Sequence, residues 1–178
     1  MSVKVNLKGF QLDLKNATDE VLQQVDEVLT DGANRIEERA KTLAPVDRGL
    51  LRNQIFADTD IPFEKRVTIA GDVFYAAYQE FGTGGKFKDQ GFPDVAKTYK
   101  GKAGRSGDLV ENIYQWLRRK KYFPPEAKTD KQKRGYAKFI AFRILKYGIE
   151  PANDGTGYFF RAYREILPTI EQEINQIK

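Results

Sequence analysis

The chain has 178 residues, with 30 basic and 25 acidic side chains, a formal net charge of +5, and neither cysteine nor histidine. This length fits one hydrophobic core, which needs no disulfide or structural metal to fold. The composition excludes thiolate nucleophiles, Ser-His and Cys-His dyads, and zinc sites of the usual ligand types. Carboxylate-metal chemistry and lysine or serine nucleophiles stay open, but we expect a protein without enzymatic activity and without a cofactor.

The N-terminal segment alternates apolar and polar residues, and it lacks the continuous apolar stretch of a secretory signal. No later segment approaches the roughly 20 apolar residues that span a bilayer. We therefore expect a soluble protein that is made in the cytoplasm and has no membrane partner.

A long amphipathic helix is predicted from Asn16 to Ala44, because apolar residues recur at the three- and four-residue spacing of a helix with one buried face. Asn16 or Thr18 can cap its start, and Pro45 ends it. Gly32 lies inside the pattern, which predicts a bend or a close helix contact at that point.

Short strands are predicted at Gln54 to Ala57 and at Arg66 to Ala70, where strand-favouring residues flank a turn-prone segment, residues 58–62. The connection is too long for a tight two-residue turn, so we expect a loose hairpin. The alternation of Val3, Val5 and Leu7 with polar residues predicts an edge strand of the same sheet.

Residues 82–107 contain seven glycines and are predicted to form a long loop. We expect this loop to be ordered only by neighbouring subunits, because it offers too little apolar surface to hold itself. Helices are predicted after it from Asp108 to about Lys121, from Asp130 to Tyr147 and from Phe160 to Ile177. Pro168 predicts that the last helix bends or restarts.

Three segments carry recognisable motifs: APVDRGLLR at residues 44–52, YAAYQEFGT at residues 75–83 and GYFFRAYREIL at residues 157–167. In this order they resemble the family of siphophage neck and tail-completion proteins. Arg48 replaces the usual threonine of the first motif. The resemblance covers roughly residues 16–85 and 136–178.

The resemblance implies a structural subunit of the head-tail connector, a neck or tail-completion ring that joins the capsid portal complex to the tail and lets DNA pass. The implied partners are identical copies in a ring, the head-closure or portal-adaptor protein, the tail tube or tail terminator protein, and the genome DNA. The implied location is the head-tail junction of the virion.

The predicted fold is α+β, with a long N-terminal helix and a C-terminal helix packed on one face of a small antiparallel sheet. Residues 1–178 are expected to form one domain with a mostly helical insertion at about residues 86–135. The residues assigned to a subunit interface or to the family motif are Pro45, Asp47, Gly49, Arg52, Tyr75, Tyr78, Glu80, Phe81, Gly82, Thr83, Phe159 and Phe160.

The same residues also have a purely structural interpretation. Pro45 and Gly49 suit a sharp change of direction, with Asp47 able to accept hydrogen bonds from nearby backbone amides. Tyr75, Tyr78 and Phe81 would share one face of a short helix.

A second functional hypothesis is a nucleic-acid-binding module in residues 114–136, where basic side chains alternate with aromatic ones that could stack on bases. The competing interpretation is two solvated helix ends that flank a Pro-Pro link. The residues assigned to contact with DNA or an acidic partner are Arg118, Arg119, Lys120, Lys121, Lys131, Lys133 and Arg134.

An enzymatic hypothesis, a metal-dependent nuclease, rests on Asp58 with Asp60 or on Glu37 with Glu38. Adjacent carboxylates on a helix point in different directions, and acidic residues are ordinary in turns. The segment GTGGK at residues 82–86 does not fit a phosphate-binding loop, because phenylalanine follows the lysine where serine or threonine is required.

Overall fold

The computed structural model describes residues 4–6, 18–46, 49–70, 76–98 and 106–177. Over these residues the protein is mostly helical with a small antiparallel sheet, which confirms the predicted α+β class. The strands are β1 (Lys4–Asn6), β2 (Ile55–Asp58) and β3 (Arg66–Ile69). The helices are α1 (Asp19–Leu43), α2 (Leu50–Asn53), α3 (Ala76–Phe81), α4 (Pro93–Lys97), α5 (Ser106–Lys120), α6 (Asp130–Tyr147), α7 (Ala152–Gly155) and α8 (Phe159–Gln176).

Helix α1 follows the predicted apolar pattern closely. The side chain of Thr18 caps its start by accepting the backbone N–H of Val21 at 3.4 Å. Asn16, the other predicted cap, lies outside the described residues. Ala44 has extended backbone angles, as expected for a residue that precedes a proline, so the helix ends one residue before the predicted boundary.

The sheet has the strand order β1-β3-β2, with both pairs antiparallel. Ile55 lies opposite Ile69 in the predicted hairpin, and β1 forms the predicted edge strand against β3. On the other edge, the N–H of Ala57 donates to the Glu37 carboxylate of α1 at 2.5 Å. Part of this edge is therefore closed within the protein itself.

The main core joins the sheet, α1 and α8, because α1 contacts β2 and β3 and also packs along α8. Gly32 allows the close contact between the helices: a Cβ at this position would overlap the side chain of Ile170. Charged pairs flank the contact, with Arg35 bound to Glu173 and Arg39 to Glu165. Helix α8 runs through Pro168 as one helix, so the predicted restart does not occur.

A second, smaller hydrophobic cluster lies between α5 and α6. It buries Leu117 of α5 against Ala137 and Ala141 of α6. Helix α6 has the predicted bounds, with Gly148 as its C-terminal cap, whereas α5 begins at Ser106 and not at the predicted Asp108. The two helices therefore form a hairpin with apolar contacts of its own.

The prediction that neighbouring subunits alone order residues 82–107 is wrong for residues 82–98, which pack on the main core. The ring of Phe92 stacks on that of Phe160, with centroids 3.9 Å apart, and Ala96 of α4 is buried. The glycine content of this segment predicts a loop without stabilising contacts, but its aromatic residues supply apolar contacts with the core. Residues 99–105 lie outside the described residues.

Candidate functional site

The first motif forms the link between α1 and α2. Gly49 has a φ of 75°, a left-handed conformation that glycine adopts without strain, and it starts α2. The guanidinium of Arg52 donates to the backbone carbonyl of Lys41 at 2.9 Å, which satisfies an acceptor in the last turn of α1. Pro45 follows the end of α1, and Asp47 lies outside the described residues. The motif therefore fixes the change of direction between the helices.

Glu80 of the second motif is buried, with 1% of its surface exposed. Its carboxylate accepts the backbone N–H groups of Tyr158 and Phe159 at 2.8 Å each, and that of Phe160 at 3.0 Å. These are the donors that the first turn of a helix leaves without partners. No side-chain cap is present at the start of α8 itself, so Glu80 supplies one from a distant part of the chain.

The burial of Glu80 changes the pKa of its carboxyl group. Loss of water around the carboxyl raises the pKa of Glu80, while the three N–H donors and the charge of Arg164 partly oppose that rise. Gly157 has a φ of 72°, and a Cβ at this position would lie 2.7 Å from the Glu80 Cδ. The carboxylate can reach the helix start because residue 157 has no side chain.

Gly82 and Thr83 bind the end of α3 to the segment after α6. The Thr83 N–H donates to the carbonyl of Ile149 at 2.9 Å, and the Thr83 hydroxyl accepts the Ile149 N–H at 2.9 Å. Gly82 has a φ of 72°, and a Cβ there would lie 2.8 Å from Pro151. The α5–α6 hairpin is thereby fastened to the main core next to Glu80.

The aromatic motif residues surround this junction. Phe81, Phe159 and Phe160 are fully buried, and the rings of Phe81 and Phe160 lie 5.7 Å apart. Tyr78 is half-buried on α3, and Tyr75 lies outside the described residues. The described residues of the second and third motifs therefore meet in the protein interior, where they determine the shape of the subunit.

Two residues of the junction carried no motif signal. Gln90 is buried, and its amide donates to the backbone carbonyls of Glu80 at 3.2 Å and of Gly155 at 3.1 Å. The amide of Asn153 donates to the carbonyls of Leu43 at 3.1 Å and Gly157 at 2.8 Å. Three of these four partners are 10 to 110 residues away in the chain, so only the folded structure shows these roles.

The basic residues of the second hypothesis divide into two groups. Arg118, Lys121 and Lys133 line one cleft of about 360 Å³ together with the rings of Tyr114 and Phe123. Arg119, Lys120 and Lys131 are exposed but do not line this cleft.

Arg134 has acidic partners and does not line the cleft. Its guanidinium contacts Glu111 at 2.7 Å and Asp130 at 3.0 Å, and it lies over the ring of Tyr114 at 4.4 Å. Arg134 therefore already has two carboxylate partners, and its contact with DNA or an acidic partner stays a prediction.

The carboxylates of the enzymatic hypothesis are not gathered into a site over the ranges that the structure describes. Glu37 accepts the side chain of Lys41 and the N–H of Ala57. Asp58 accepts the N–H of Asp60 within the hairpin turn. Within those same ranges, no group of three acidic residues is arranged to hold a metal ion.

Residues 8–82 match the family model described as "Bacteriophage HK97-gp10, putative tail-component". Over this segment the chain is similar to the HK97-gp10-like family. The match contains the first motif and ends at Gly82 of the second, which confirms the resemblance to siphophage neck and tail-completion proteins over this part of the chain. No curated protein and no solved structure matches the chain.

A match to an HK97-gp10-like tail component supports a structural role in the phage particle, and hence a place in the virion. Such a role involves contacts with other virion proteins. Across the described ranges, no helix has both the length and the apolar character that crossing a membrane requires.

Proposed function

We propose that the chain is a ring-forming subunit of the bacteriophage head-tail connector, located where the capsid portal complex meets the tail. Identical copies surround a lumen through which the genome passes, between a head-closure or portal-adaptor protein and a tail tube or tail terminator protein. The observation that carries this proposal is the match of residues 8–82 to the HK97-gp10-like family.

The surface of the subunit supports an assembling protein. Among the described residues, large apolar side chains are exposed at four separate places: the link after α1, the β2–β3 hairpin, the end of α5 and the outer side of α6. Exposed apolar patches of this kind mark contacts with other proteins. In this proposal the buried motif residues set the shape of the subunit, and exposed side chains around them form the contacts.

We further propose that residues 86–135 form an insertion within the single domain 1–178. The family match ends at residue 82, shortly before the proposed insertion begins. Helix α5 lies inside that range and packs on α6, so the insertion extends an existing helix into a hairpin.

Deletion of the gene from the phage that encodes this chain tests the proposal. We expect complete DNA-filled heads and assembled tails that stay separate, and joining should be restored when the chain is supplied from a plasmid. Particles purified after this complementation should contain the protein at the head-tail junction in electron micrographs. Heads without tails would indicate a role in the tail itself, and normal infectious particles would overturn the proposal.

A second candidate function, binding of a nucleic-acid backbone, is favoured by the cleft of Arg118, Lys121 and Lys133. Three cations line one space, which suits the phosphates of a nucleic-acid backbone. A connector lumen contains DNA, so this function is compatible with the first. Binding that is absent even at low ionic strength would exclude it.

A further inference from the structure

The outer side of α6 is apolar although the inner side already packs on α5. Phe139, Phe142 and Leu145 are 56%, 59% and 52% exposed, whereas Ala137 and Ala141 are buried. A surface helix of a solitary protein normally carries polar residues opposite its buried side. This pattern indicates that a partner covers the outer side of α6.

The charges on this outer side are all positive. Lys138, Arg143 and Lys146 are exposed, and within the described ranges none of them forms an ion pair with a carboxylate. Arg143 and Lys146 lie over the ring of Tyr147 at 4.9 and 5.2 Å. We define the α6 face as Lys138, Phe139, Phe142, Arg143, Leu145 and Lys146; its partner should be apolar and acidic.

The turn of the β2–β3 hairpin has these complementary properties. Phe56, Ile61 and Phe63 are exposed apolar side chains, and Asp58 and Asp60 lie beside them in the sequence. We define the hairpin tip as these five residues. It presents an apolar centre with negative charge, opposite in sign to the α6 face.

The hairpin tip is held in one shape before any partner arrives. Phe63 has a φ of 59°, which is unusual for a residue with a side chain, and its N–H donates to the Asp26 carboxylate at 2.6 Å. The buried amine of Lys65 donates to the same carboxylate at 2.9 Å and to the carbonyl of Thr59 at 3.0 Å. These hydrogen bonds hold the turn with Ile61 and Phe63 exposed before a partner binds. Docking therefore does not have to order the turn.

We propose that the hairpin tip of one copy docks on the α6 face of the next copy. Each subunit carries both surfaces, with opposite charges around apolar centres, so the contact is head-to-tail and repeats around a ring when the rotation closes. This proposal rests on the proposed function, because it names the contact by which connector subunits assemble.

The chain contains no cysteine, so introduced cysteines can report this contact without background. The test chain carries Ile61→Cys and Phe142→Cys together, both at exposed positions. It is oxidised both in purified form at high concentration and within particles from a complemented phage. We expect a ladder of disulfide-linked multimers on non-reducing gels, and light scattering should give the matching masses.

The control chain carries Ile61→Cys with Asn175→Cys, because Asn175 is exposed on α8 and lies outside the α6 face and the other exposed apolar surfaces. It should give no ladder. A second test reverses charges: Asp58→Lys with Asp60→Lys should abolish the ladder, and adding Arg143→Glu with Lys146→Glu should restore it.

The outcomes separate the two proposals. If the protein is present in particles but neither preparation gives a ladder, the docking contact is overturned and the connector function stands. A link from the test chain to a different virion protein also overturns it, because the occupant is then not a second copy. If the purified protein gives a ladder but the protein itself is absent from particles, the contact is supported and the connector function is overturned.

Discussion

Glu80 accepts the backbone N–H of Phe159 at 2.8 Å, although the two residues are 79 positions apart in the sequence. The contact places the family motif of α3 at the start of α8, which has no side-chain cap of its own. A buried carboxylate therefore joins the part of the chain that matches the phage family to the part beyond the match.

Replacement of Glu80 by glutamine is expected to lower the free energy of unfolding by about 1–3 kcal/mol at neutral pH. The amide has one acceptor oxygen in place of two, so buried N–H groups lose their partner. Urea denaturation measures the loss. Glu150→Gln is the matched control, because Glu150 is exposed and lies 3.7 Å or more from its lysine partners; it should change stability by less than about 0.5 kcal/mol.

The same pair of proteins tests the pKa of Glu80. Because the pKa of Glu80 is raised in the folded protein, its carboxyl group keeps its proton to a higher pH there than in the unfolded chain, where the proton is lost above about pH 4.5. The stabilisation by Glu80 is therefore fully present below pH 4.5 and declines as the pH rises through the folded-state pKa. The difference in unfolding free energy between wild type and Glu80→Gln should shrink from pH 4.5 to pH 8; a difference that grows would contradict the direction of the shift.

Replacement of Gly32 by alanine is expected to destabilise the protein by about 1–3 kcal/mol, because the new Cβ overlaps Ile170 in the contact between α1 and α8. Adding Ile170→Val should recover part of the loss, which a thermal or urea double-mutant cycle measures. Gly135→Ala on α6 is the control: a Cβ there meets no atom within 4 Å, and the better helix propensity should stabilise slightly. Additive effects at positions 32 and 170 would rule out the steric explanation.

Replacement of Asp26 by asparagine should cost about 1–3 kcal/mol, since it leaves the amine of Lys65 buried at 2% exposure without its carboxylate. Lys65→Met, which removes the charge and keeps the volume, should cost less. Burial raises the pKa of Asp26, but bonds from Phe63 and Lys65 outweigh it and lower the pKa below 3.8. The cost of Asp26→Asn should therefore disappear as the pH falls through the folded-state pKa.

Replacement of Arg118, Lys121 and Lys133 together by glutamine tests the basic cleft. If each cation contacts one phosphate, the slope of log affinity against log salt for DNA should fall by about 3. Fluorescence anisotropy with a labelled oligonucleotide measures this slope. Lys131→Gln is the control on α6, because Lys131 is exposed outside the cleft and should contribute little.

The elements with strong local patterns could be predicted from sequence. The stripe of α1, the bounds of α6 and the two strands of the hairpin depend on spacing and on nearby caps, so they were found within a few residues. Helix α4 cannot be predicted from local pattern, because its five residues lie among glycines and lysines and gain their stability from Phe92 and Ala96 packed on the core.

The position of the motif residues could not be predicted in the same way. Glu80 appeared as one polar member of a surface or interface motif, and only the three distant N–H groups explain why a carboxylate is buried there. Lys65 gave no signal as the anchor of the hairpin turn, because Asp26 is 39 residues away. Interactions of this range depend on tertiary packing and not on local spacing.

The separate cluster between α5 and α6 has a dynamic consequence. Because these helices bury their apolar residues mainly against each other, the pair can open while the main core stays folded. Backbone amides of α5 should then exchange with deuterated solvent faster than those of α1. In the proposed connector, each subunit would then combine a helix pair that opens readily with a main core that stays folded.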